Sequence, residues 1–339
     1  MRALAVIATF VGLPVVTAAT PAFAGRLEEV KSRGMLRCGI LANSAGQSAL
    51  SDKGEWKGFA IDYCRAVAAA IFDDPTKVEF KPASLGQQLA AMKSGEIDIL
   101  EVTLTYTMTR EVDLGFNFVG PTIFTGLTFM VPRSLNVNSL AGLNGATICI
   151  QAGSLVEETL PNLFKSHGIS FKPLSVGTLQ QLYSLYDSGR CDAVAGDKTT
   201  LASRRQERPD PKAYVIFDEV FSKSDTGPVV RAGDVAWLNV AKYTFYALVT
   251  AEELGVTQAN VDQMKTSTDG NTRLFLGLDG HLGTKLGLRD GFTVSVVKAV
   301  GNYGEMWERN LGKNSPMQLP RDANKPRRDG GLLYSPIWK

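Results

Sequence analysis

Two stretches of similar order decide the fold: QQLAAMKSGEIDIL at residues 87–100 and QQLYSLYDSGRCDAV at residues 180–194. Each begins with a helical stripe of apolar residues, stops at a glycine and continues as a short apolar strand opened by an aspartate. Polar residues follow each strand, TLTYT in the first copy and GDKTT in the second. This repetition indicates two related α/β lobes within one chain.

Helices and strands alternate outward from both copies, which predicts mostly parallel sheets flanked by helices. Extended, Gly/Pro-marked stretches at 126–139 and 222–234 are predicted to be the two crossings between the lobes. The predicted domains are a first lobe of 25–127 plus 229–339 and a second lobe of 128–228. The helices after Asp234 are expected to pack back on the first lobe, and the tail at 321–339 to form a strap without regular structure. The predicted elements are strands at 36–40, 78–83, 97–102, 146–151, 170–176, 191–197 and 213–220, and helices at 60–72, from residue 84, at 154–168 and at 178–189.

Residues 1–24, MRALAVIATFVGLPVVTAATPAFA, are predicted to be a cleaved signal peptide, because one early basic residue precedes an apolar run that ends in Ala-Phe-Ala. The alternative, a membrane anchor, fits less well with two prolines in the run. The whole chain has 36 basic and 34 acidic side chains, which argues against a nucleic-acid partner.

Four cysteines in an exported chain suggest two disulfides, for which three pairings exist. Pairing neighbours in sequence, Cys38 with Cys64 and Cys149 with Cys191, would close a loop in each half separately. Four buried free thiols are the alternative.

The stretch at 103–110 follows a predicted strand, where α/β proteins bind ligands. Thr103 and Thr105 would face one side, and Thr107 would cap a helix that carries Arg110. An arginine beside a helix start can grip a carboxylate through two parallel hydrogen bonds. The alternative is a surface Arg110 paired with Glu111 or Asp113.

The second lobe offers complementary groups at two strand ends. Gly153 and Ser154 open a helix whose N–H groups can bind an anion, and Asp197 would place a negative charge nearby. An arginine from one lobe and an aspartate from the other suit a zwitterion with one carboxylate and one ammonium. Asp197 also fits the cap of the next helix, a role that does not exclude the first.

The chain resembles the periplasmic substrate-binding proteins of polar amino-acid ABC importers, solute-binding family 3, and most of all their general L-amino-acid-binding branch. The resemblance covers nearly the whole mature chain, both cysteine pairs included. It is carried by GEWKGFAIDYCRAVAAAIF, LAAMKSGEIDIL, TREVDLGFNFVGP, GATICIQAGS, GRCDAVAGD, GPVVRAGD and VGNYGEMWERNLG, among others. It implies a two-lobed type II periplasmic binding protein fold with two hinge crossings, in which an L-amino acid binds between the lobes.

The resemblance also implies residue roles, by position. Arg110 would hold the α-carboxylate, with Thr103 and Thr105 as hydroxyl and backbone partners. Gly153 and Ser154 would lie near the same carboxylate, and Asp197 would bind the α-ammonium.

The chain departs from the branch at residues 101–106, EVTLTY, where the branch typically has Ser-Arg-Asn-Thr-Thr-Trp. Val102 replaces an arginine and Tyr106 a tryptophan, and Ser44 or Gln47 replaces an aromatic lid. Glu101 is interpreted as a strand-end acid with its hydrogen bonds satisfied, and preference for a basic ligand is the alternative. These departures affect the side-chain pocket, so the substrate is not specified.

The expected function is delivery of an L-amino acid to an ABC-transporter permease by a periplasmic monomer that is not an enzyme and needs no cofactor or metal. One alternative is an exported dehydratase-like enzyme with Glu101 or Asp197 as general acid. His167 and His281 are interpreted as surface residues, and the common catalytic motifs are absent from the sequence. Another alternative is a ligand carrier for a chemoreceptor, which would use the same site.

Overall fold

The computed structural model describes residues 25–339. The predicted signal peptide, residues 1–24, lies outside the described residues. In the described part of the chain, no helix is both long and apolar enough to cross a membrane.

The chain forms two series of strands and helices joined by short loops. The first series is α1 (Arg26–Arg33), β1 (Leu36–Ile40), β2 (Ala49–Leu50), β3 (Trp56–Lys57), α2 (Phe59–Phe72), β4 (Val78–Pro82), α3 (Leu85–Ser94), β5 (Ile99–Leu100), α4 (Met108–Leu114) and β6 (Phe116–Phe118). The second series is β7 (Leu127–Pro132), β8 (Thr147–Gln151), α5 (Leu155–Ser166), β9 (Lys172–Val176), α6 (Leu179–Asp187), β10 (Ala193–Asp197), α7 (Lys198–Gln206) and β11 (Tyr214–Ile216). The remainder is β12 (Val229–Arg231), α8 (Val235–Glu253), α9 (Gly270–Phe275), α10 (Leu282–Lys285), α11 (Phe292–Val300) and α12 (Tyr303–Asn310).

Two five-stranded sheets organise these elements, with strand orders β4-β1-β5-β12-β6 and β11-β7-β10-β8-β9. In the first, β1 is parallel to β4 and β5, and β12 is antiparallel to β5 and β6. In the second, β8 is parallel to β9 and β10, and β7 is antiparallel to β10 and β11. Each sheet thus has one strand that runs against the others, which confirms the prediction of two mostly parallel α/β lobes.

Both crossings lie earlier than predicted. Residues 119–126 connect β6 to β7, whereas the prediction placed the first crossing at 126–139. Residues 217–228 connect β11 to β12, whereas the prediction placed the second crossing at 222–234, a range that includes strand β12. The segment Leu127–Val131 is fully buried because it is an inner strand of the second sheet, and Pro132 ends that strand. An apolar strand that follows a polar loop looks like an extended linker when its sheet partners are unknown.

The two crossings run side by side and pair through their backbones, Ile123 with Thr226 and Gly126 with Lys223. A Cβ atom on Gly227 would lie 2.0 Å from the carbonyl oxygen of Gly120. Any larger residue at position 227 would therefore force the two backbones apart.

The largest apolar core lies in the first lobe and includes the long helices that follow Asp234. Helices α8 and α11 pack on α2, as predicted, and Trp237 and Trp307 are buried there. The Tyr63 hydroxyl donates to the carbonyl of Ala241 at 2.9 Å, which ties α2 to α8.

The carboxyl-terminal tail contacts both the first crossing and the second lobe. The Asn324 side chain accepts a hydrogen bond from the Phe124 N–H at 2.7 Å and donates to the Phe124 carbonyl at 2.8 Å. The Lys198 ammonium pairs with Asp322 at 3.2 Å. Apart from short 3-10 turns at Asp322–Asn324 and Arg327–Asp329, the tail has no helix or strand.

Two disulfides join neighbours in sequence, Cys38 with Cys64 and Cys149 with Cys191. Their Cα atoms are 6.3 and 5.7 Å apart. All four cysteines are buried and each bond links a strand to a helix or loop of the same lobe. The structure therefore selects one of the three possible pairings, with one bond in each lobe.

Removal of the Cys149–Cys191 bond by paired serine substitution is expected to lower the free energy of unfolding by about 2–5 kcal/mol, because the open chain gains conformational entropy. Urea denaturation of the variant and of the parent protein, each with and without reductant, measures the effect. Equal stability of the oxidised parent and the variant would contradict this expectation.

Candidate functional site

A cavity of about 700 Å³ lies between the two sheets and is lined by both lobes. Its walls include the residues that follow the carboxyl ends of β1, β4 and β5, and those of β8, β9 and β10. This is the edge at which α/β sheets bind ligands. The cavity is therefore the candidate site.

Thr103 and Thr105 line this cavity from the first lobe. A tight turn around Thr103 joins the Leu104 N–H to the Val102 carbonyl at 2.6 Å. Thr105 pairs with Thr226 of the second crossing, and its hydroxyl lies 3.3 Å from that of Ser224. Thr105 therefore lies between the ligand cavity and the crossings.

Arg110 lines the same cavity and has no acidic partner among the described residues. The Thr107 hydroxyl caps its helix by accepting from the Arg110 N–H at 3.2 Å. The Arg110 Nη1 donates to the Thr105 carbonyl at 2.7 Å. Glu111 instead accepts from the Tyr106 hydroxyl at 2.9 Å. The backbone therefore positions the Arg110 side chain without neutralising its charge. The alternative, an ion pair of Arg110 with Glu111 or Asp113, does not form in the structure.

Burial lowers the pKa of the Arg110 guanidinium. The group stays protonated nonetheless, because an arginine guanidinium does not lose its proton in proteins at ordinary pH. A half-buried cation without a counterion is favourably placed to bind an anion, since little further desolvation is needed.

Asp197 lines the cavity from the second lobe and caps α7 at the same time. Its Oδ1 accepts from the N–H groups of Thr199 and Thr200 at 2.9 and 3.1 Å. Its Oδ2 is buried and makes no hydrogen bond of normal geometry with the described residues, although the Thr125 hydroxyl lies close to the carboxyl. Burial raises the pKa of the Asp197 carboxyl, and the hydrogen bonds from Thr199 and Thr200, together with the Thr125 side chain, partly oppose that rise. One carboxylate oxygen thus supports the helix, while the other has only the Thr125 hydroxyl as a near polar neighbour.

Ser154 lines the cavity, whereas Gly153 does not. Ser154 caps α5 by accepting from the Glu157 N–H at 3.3 Å. Gly153 adopts a left-handed backbone with φ of 69°, and its N–H donates to the Glu157 carboxylate at 2.7 Å. The structure therefore brings together five of the six predicted site residues. The sixth, Gly153, does not line the cavity, and its N–H is already bound to the Glu157 carboxylate.

Glu101 lies outside the cavity, and only 3% of it is exposed. Its Oε2 is buried and has no hydrogen-bond partner among the described residues. The interpretation of Glu101 as a satisfied strand-end acid is therefore wrong. Burial raises the pKa of this carboxyl well above its ordinary value.

Replacement of Glu101 by glutamine is expected to stabilise the protein increasingly as pH rises. The folded-state pKa of Glu101 lies above the unfolded value, so wild-type stability is intact below the unfolded pKa near 4.5 and is lost as pH rises toward the folded pKa. Glutamine does not titrate and escapes this loss. Melting temperatures of both proteins from pH 5 to 8 should diverge, and parallel curves would contradict the expectation.

Two residues that differ from the resembled branch, Val102 and Tyr106, lie in different places relative to the cavity. Val102 lines the cavity. Tyr106 does not line it; its ring stacks on Phe118 at a centroid distance of 4.3 Å. Of the two positions offered as substitutes for an aromatic lid, neither Ser44 nor Gln47 lines the cavity.

Three further residues that line the cavity, Thr178, Thr200 and Arg204, were not predicted from the sequence. Thr178 caps α6 after β9 and lines the cavity. The same strand-end rule that selected Ser154 would have found it. Thr200 and Arg204 line the cavity from α7. Their spacing of three and seven residues from Asp197 was the available signal, because such positions share one helix face.

Comparison with known proteins supports a single family. The family described as bacterial extracellular solute-binding proteins, family 3, matches residues 36–259. The general L-amino acid-binding periplasmic protein AapJ of Rhizobium johnstonii is 42% identical over 94% of both chains. The glutamate/glutamine/aspartate/asparagine-binding protein BztA of Rhodobacter capsulatus is 39% identical over 94% of both chains.

A solved structure resembles the fold over nearly the whole chain. It is an ABC transporter periplasmic binding protein from Brucella ovis with glutathione bound, which is 40% identical with a TM-score of 0.88. The match covers 93% of this chain and 100% of that one. The fold is thus the two-lobed, type II periplasmic binding protein fold, and the chain belongs to the bacterial extracellular solute-binding proteins, family 3.

Proposed function

We propose that this protein binds an L-amino acid between its two lobes and delivers it to an ABC-transporter permease. The observation that carries the proposal is that Arg110 and Asp197, opposite charges from different lobes, line one cavity. An α-amino acid has the complementary pair of charges, a carboxylate and an ammonium, on one carbon atom. The relatives with 39–42% identity are named for amino-acid binding, which agrees with this assignment.

Each end of the ligand has a group to receive it. The Nε and Nη2 atoms of Arg110 have no partner among the described residues, so this edge can take the α-carboxylate through two parallel hydrogen bonds. Thr103 and Ser154 line the same cavity and would lie near this carboxylate; the Ser154 hydroxyl already donates to the Gln151 carbonyl at 2.6 Å, so the free hydroxyl is that of Thr103. The α-ammonium donates to the Oδ2 of Asp197, a buried atom that makes no hydrogen bond of normal geometry with the described residues.

Binding and lobe closure are linked in this scheme. Arg110 belongs to the first lobe and Asp197 to the second, so a ligand that holds both stabilises the arrangement in which they are close. The two crossings, 119–126 and 217–228, are the segments that would flex. We propose lobes of 25–127 plus 229–339 and 128–228, with Leu127 at the boundary because it already begins β7 of the second sheet.

The proposed site of action is the periplasm, with the protein as a monomer. The family is described as extracellular, and both disulfides require an oxidising compartment to form. A chemoreceptor carrier would use the same cleft with another membrane partner.

An enzymatic role has less support. Of the two acids considered as general acids, Glu101 does not line the cavity and Asp197 is engaged by the start of α7. His167 and His281 are exposed and do not line the cavity.

A thermal-shift screen of the L-amino acids, with D-enantiomers as controls, tests the proposal. A ligand at a thousand times its Kd should stabilise the folded state by about 4 kcal/mol, a shift of several degrees. Each ligand is then recovered and analysed for chemical change. Stabilisation without turnover is expected. Turnover, or no shift with any L-amino acid, would contradict the proposal.

A further inference from the structure

The carboxyl-terminal end of α7 contacts the first lobe at a place away from both crossings. The Arg205 Nη2 donates to the Met317 carbonyl at 3.2 Å, and the Gln206 Nε2 donates to the Pro316 carbonyl at 2.7 Å. Neither carbonyl accepts another hydrogen bond within the described residues. Helix α7 belongs to the second lobe, and the segment 315–319 follows α12 of the first. These two hydrogen bonds therefore join the lobes directly.

The segment 315–319, which supplies the two acceptors, is fixed to the first lobe. The Met317 side chain is buried in the apolar core of that lobe. A Cβ atom on Gly46 would lie 2.9 Å from the Met317 Cγ, so the segment packs on the loop that follows β1. Leu41 and Ala42 of the same loop line the cavity. The acceptors thus lie beside the cleft and move with the first lobe.

The two donors lie far along α7 from the crossings. The Lys198 N–H, in the first turn of α7, donates to the Gly126 carbonyl of the first crossing at 3.0 Å. Gln206 ends the helix, about 12 Å farther along its axis. A hinge rotation about the crossings displaces the far end of α7 more than its start. Separation of the lobes would therefore break the hydrogen bonds of Arg205 and Gln206.

We propose that Arg205 and Gln206 form a latch that holds the lobes together around a bound ligand. The inference rests on the proposed function, in which a ligand bridges Arg110 and Asp197 of different lobes. Asp197 caps the helix that the latch holds, so Arg205 and Gln206 are positioning residues for Asp197. Neither of the two side chains lines the cavity. Their hydrogen bonds therefore stabilise the closed arrangement to the same extent for every ligand.

The test variant is Arg205→Leu/Gln206→Ala, which removes both donors. Its matched control is Arg190→Leu/Gln181→Ala, which makes the same two changes at exposed positions of the second lobe that do not line the cavity. Melting temperatures of the unliganded proteins show whether each variant folds. If the double variant melts far below the parent, Gln206→Ala alone gives the same test, with an expected loss of affinity of about 2- to 10-fold.

Calorimetry and stopped-flow kinetics of the full protein, with each L-amino acid that binds, give affinities and rates. The latch variant is expected to bind about 5- to 50-fold more weakly, because two hydrogen bonds of the closed arrangement are lost. The factor should agree within about twofold for all ligands, since the latch contacts none of them. Faster dissociation should account for the loss, because the ligand enters an open cleft before the latch forms. The control should keep the parent affinities and rates.

Other results overturn the inference. If the latch variant binds every ligand with parent affinity and rates, these contacts do not hold the lobes together, and the proposed function stands. If it weakens one ligand far more than another, Arg205 or Gln206 acts on the ligand and not on closure. A control that weakens binding as much as the latch variant does would show that the loss is not specific. If the parent protein binds no L-amino acid, the proposed function fails, and the inference fails with it.

Discussion

Replacement of Arg110 by alanine is expected to weaken amino-acid binding by about 2–5 kcal/mol, which is roughly 30- to 4,000-fold. The ligand carboxylate would still lose its water on entering the cleft, yet it would find no cation there. Arg110 has no acidic partner among the described residues, so its removal leaves no protein carboxylate unpaired. The loss should therefore appear in binding and hardly at all in folding.

Calorimetry with the best ligand of the thermal-shift screen measures this effect. Arg110→Lys should bind with intermediate affinity, because lysine keeps the charge but lacks the planar fork. Arg133→Ala removes an exposed arginine outside the cavity and serves as the control. Parent-like affinity of Arg110→Ala would refute the role of Arg110.

Replacement of Asp197 by asparagine should weaken binding by roughly 100-fold while changing stability by less than about 1 kcal/mol. Asparagine caps a helix about as well as aspartate, so α7 keeps its start. The ligand ammonium, however, loses its charged partner. Asp197→Ala should show the same binding defect together with an added loss of stability of about 1 kcal/mol, because the cap is lost.

The pH dependence of binding provides a further readout for Asp197. Because burial raises its pKa, the carboxyl takes up a proton at a higher pH than an exposed aspartate does. Wild-type affinity should fall as pH is lowered through this value, and the affinity of Asp197→Asn should not follow the same curve. Calorimetry from pH 4 to 8 compares them. If Asp197→Asn binds with full affinity and keeps the wild-type pH profile, Asp197 only caps α7 and does not bind the ligand ammonium.

Much of the fold follows from local sequence because its determinants are local. Alternating apolar strands and helices, glycine stops and capping residues such as Thr107 and Ser154 depend on near neighbours in the chain. The first crossing was misplaced because the role of Leu127–Pro132 depends on partners far away in sequence, β10 and β11. Sheet order is a tertiary property, and apolar composition alone does not reveal it.

The candidate site was predictable to the extent that strand ends and helix starts determine it. Thr103, Arg110, Ser154 and Asp197 all follow from that rule. Gly153 was predicted as a site residue because its backbone N–H could bind an anion, but that N–H donates instead to the carboxylate of Glu157, four residues later. Burial and, to a lesser extent, the charge of Glu101 raise the pKa of Tyr63 and Tyr303, which lie on helices distant in sequence, so the surroundings of Glu101 could not be read from the strand-end pattern. Arg204 lies a further two turns along α7, beyond the reach of a rule confined to helix starts.

The central claim is that Arg110 and Asp197 grip opposite ends of one ligand. A crystal structure of the protein with the L-amino acid that stabilises it most tests this directly. The account predicts the α-carboxylate against the Nε and Nη2 edge of Arg110 and the α-ammonium within hydrogen-bond distance of Asp197 Oδ2. A ligand bound outside this cavity, or one in it that touches neither side chain, would contradict the account.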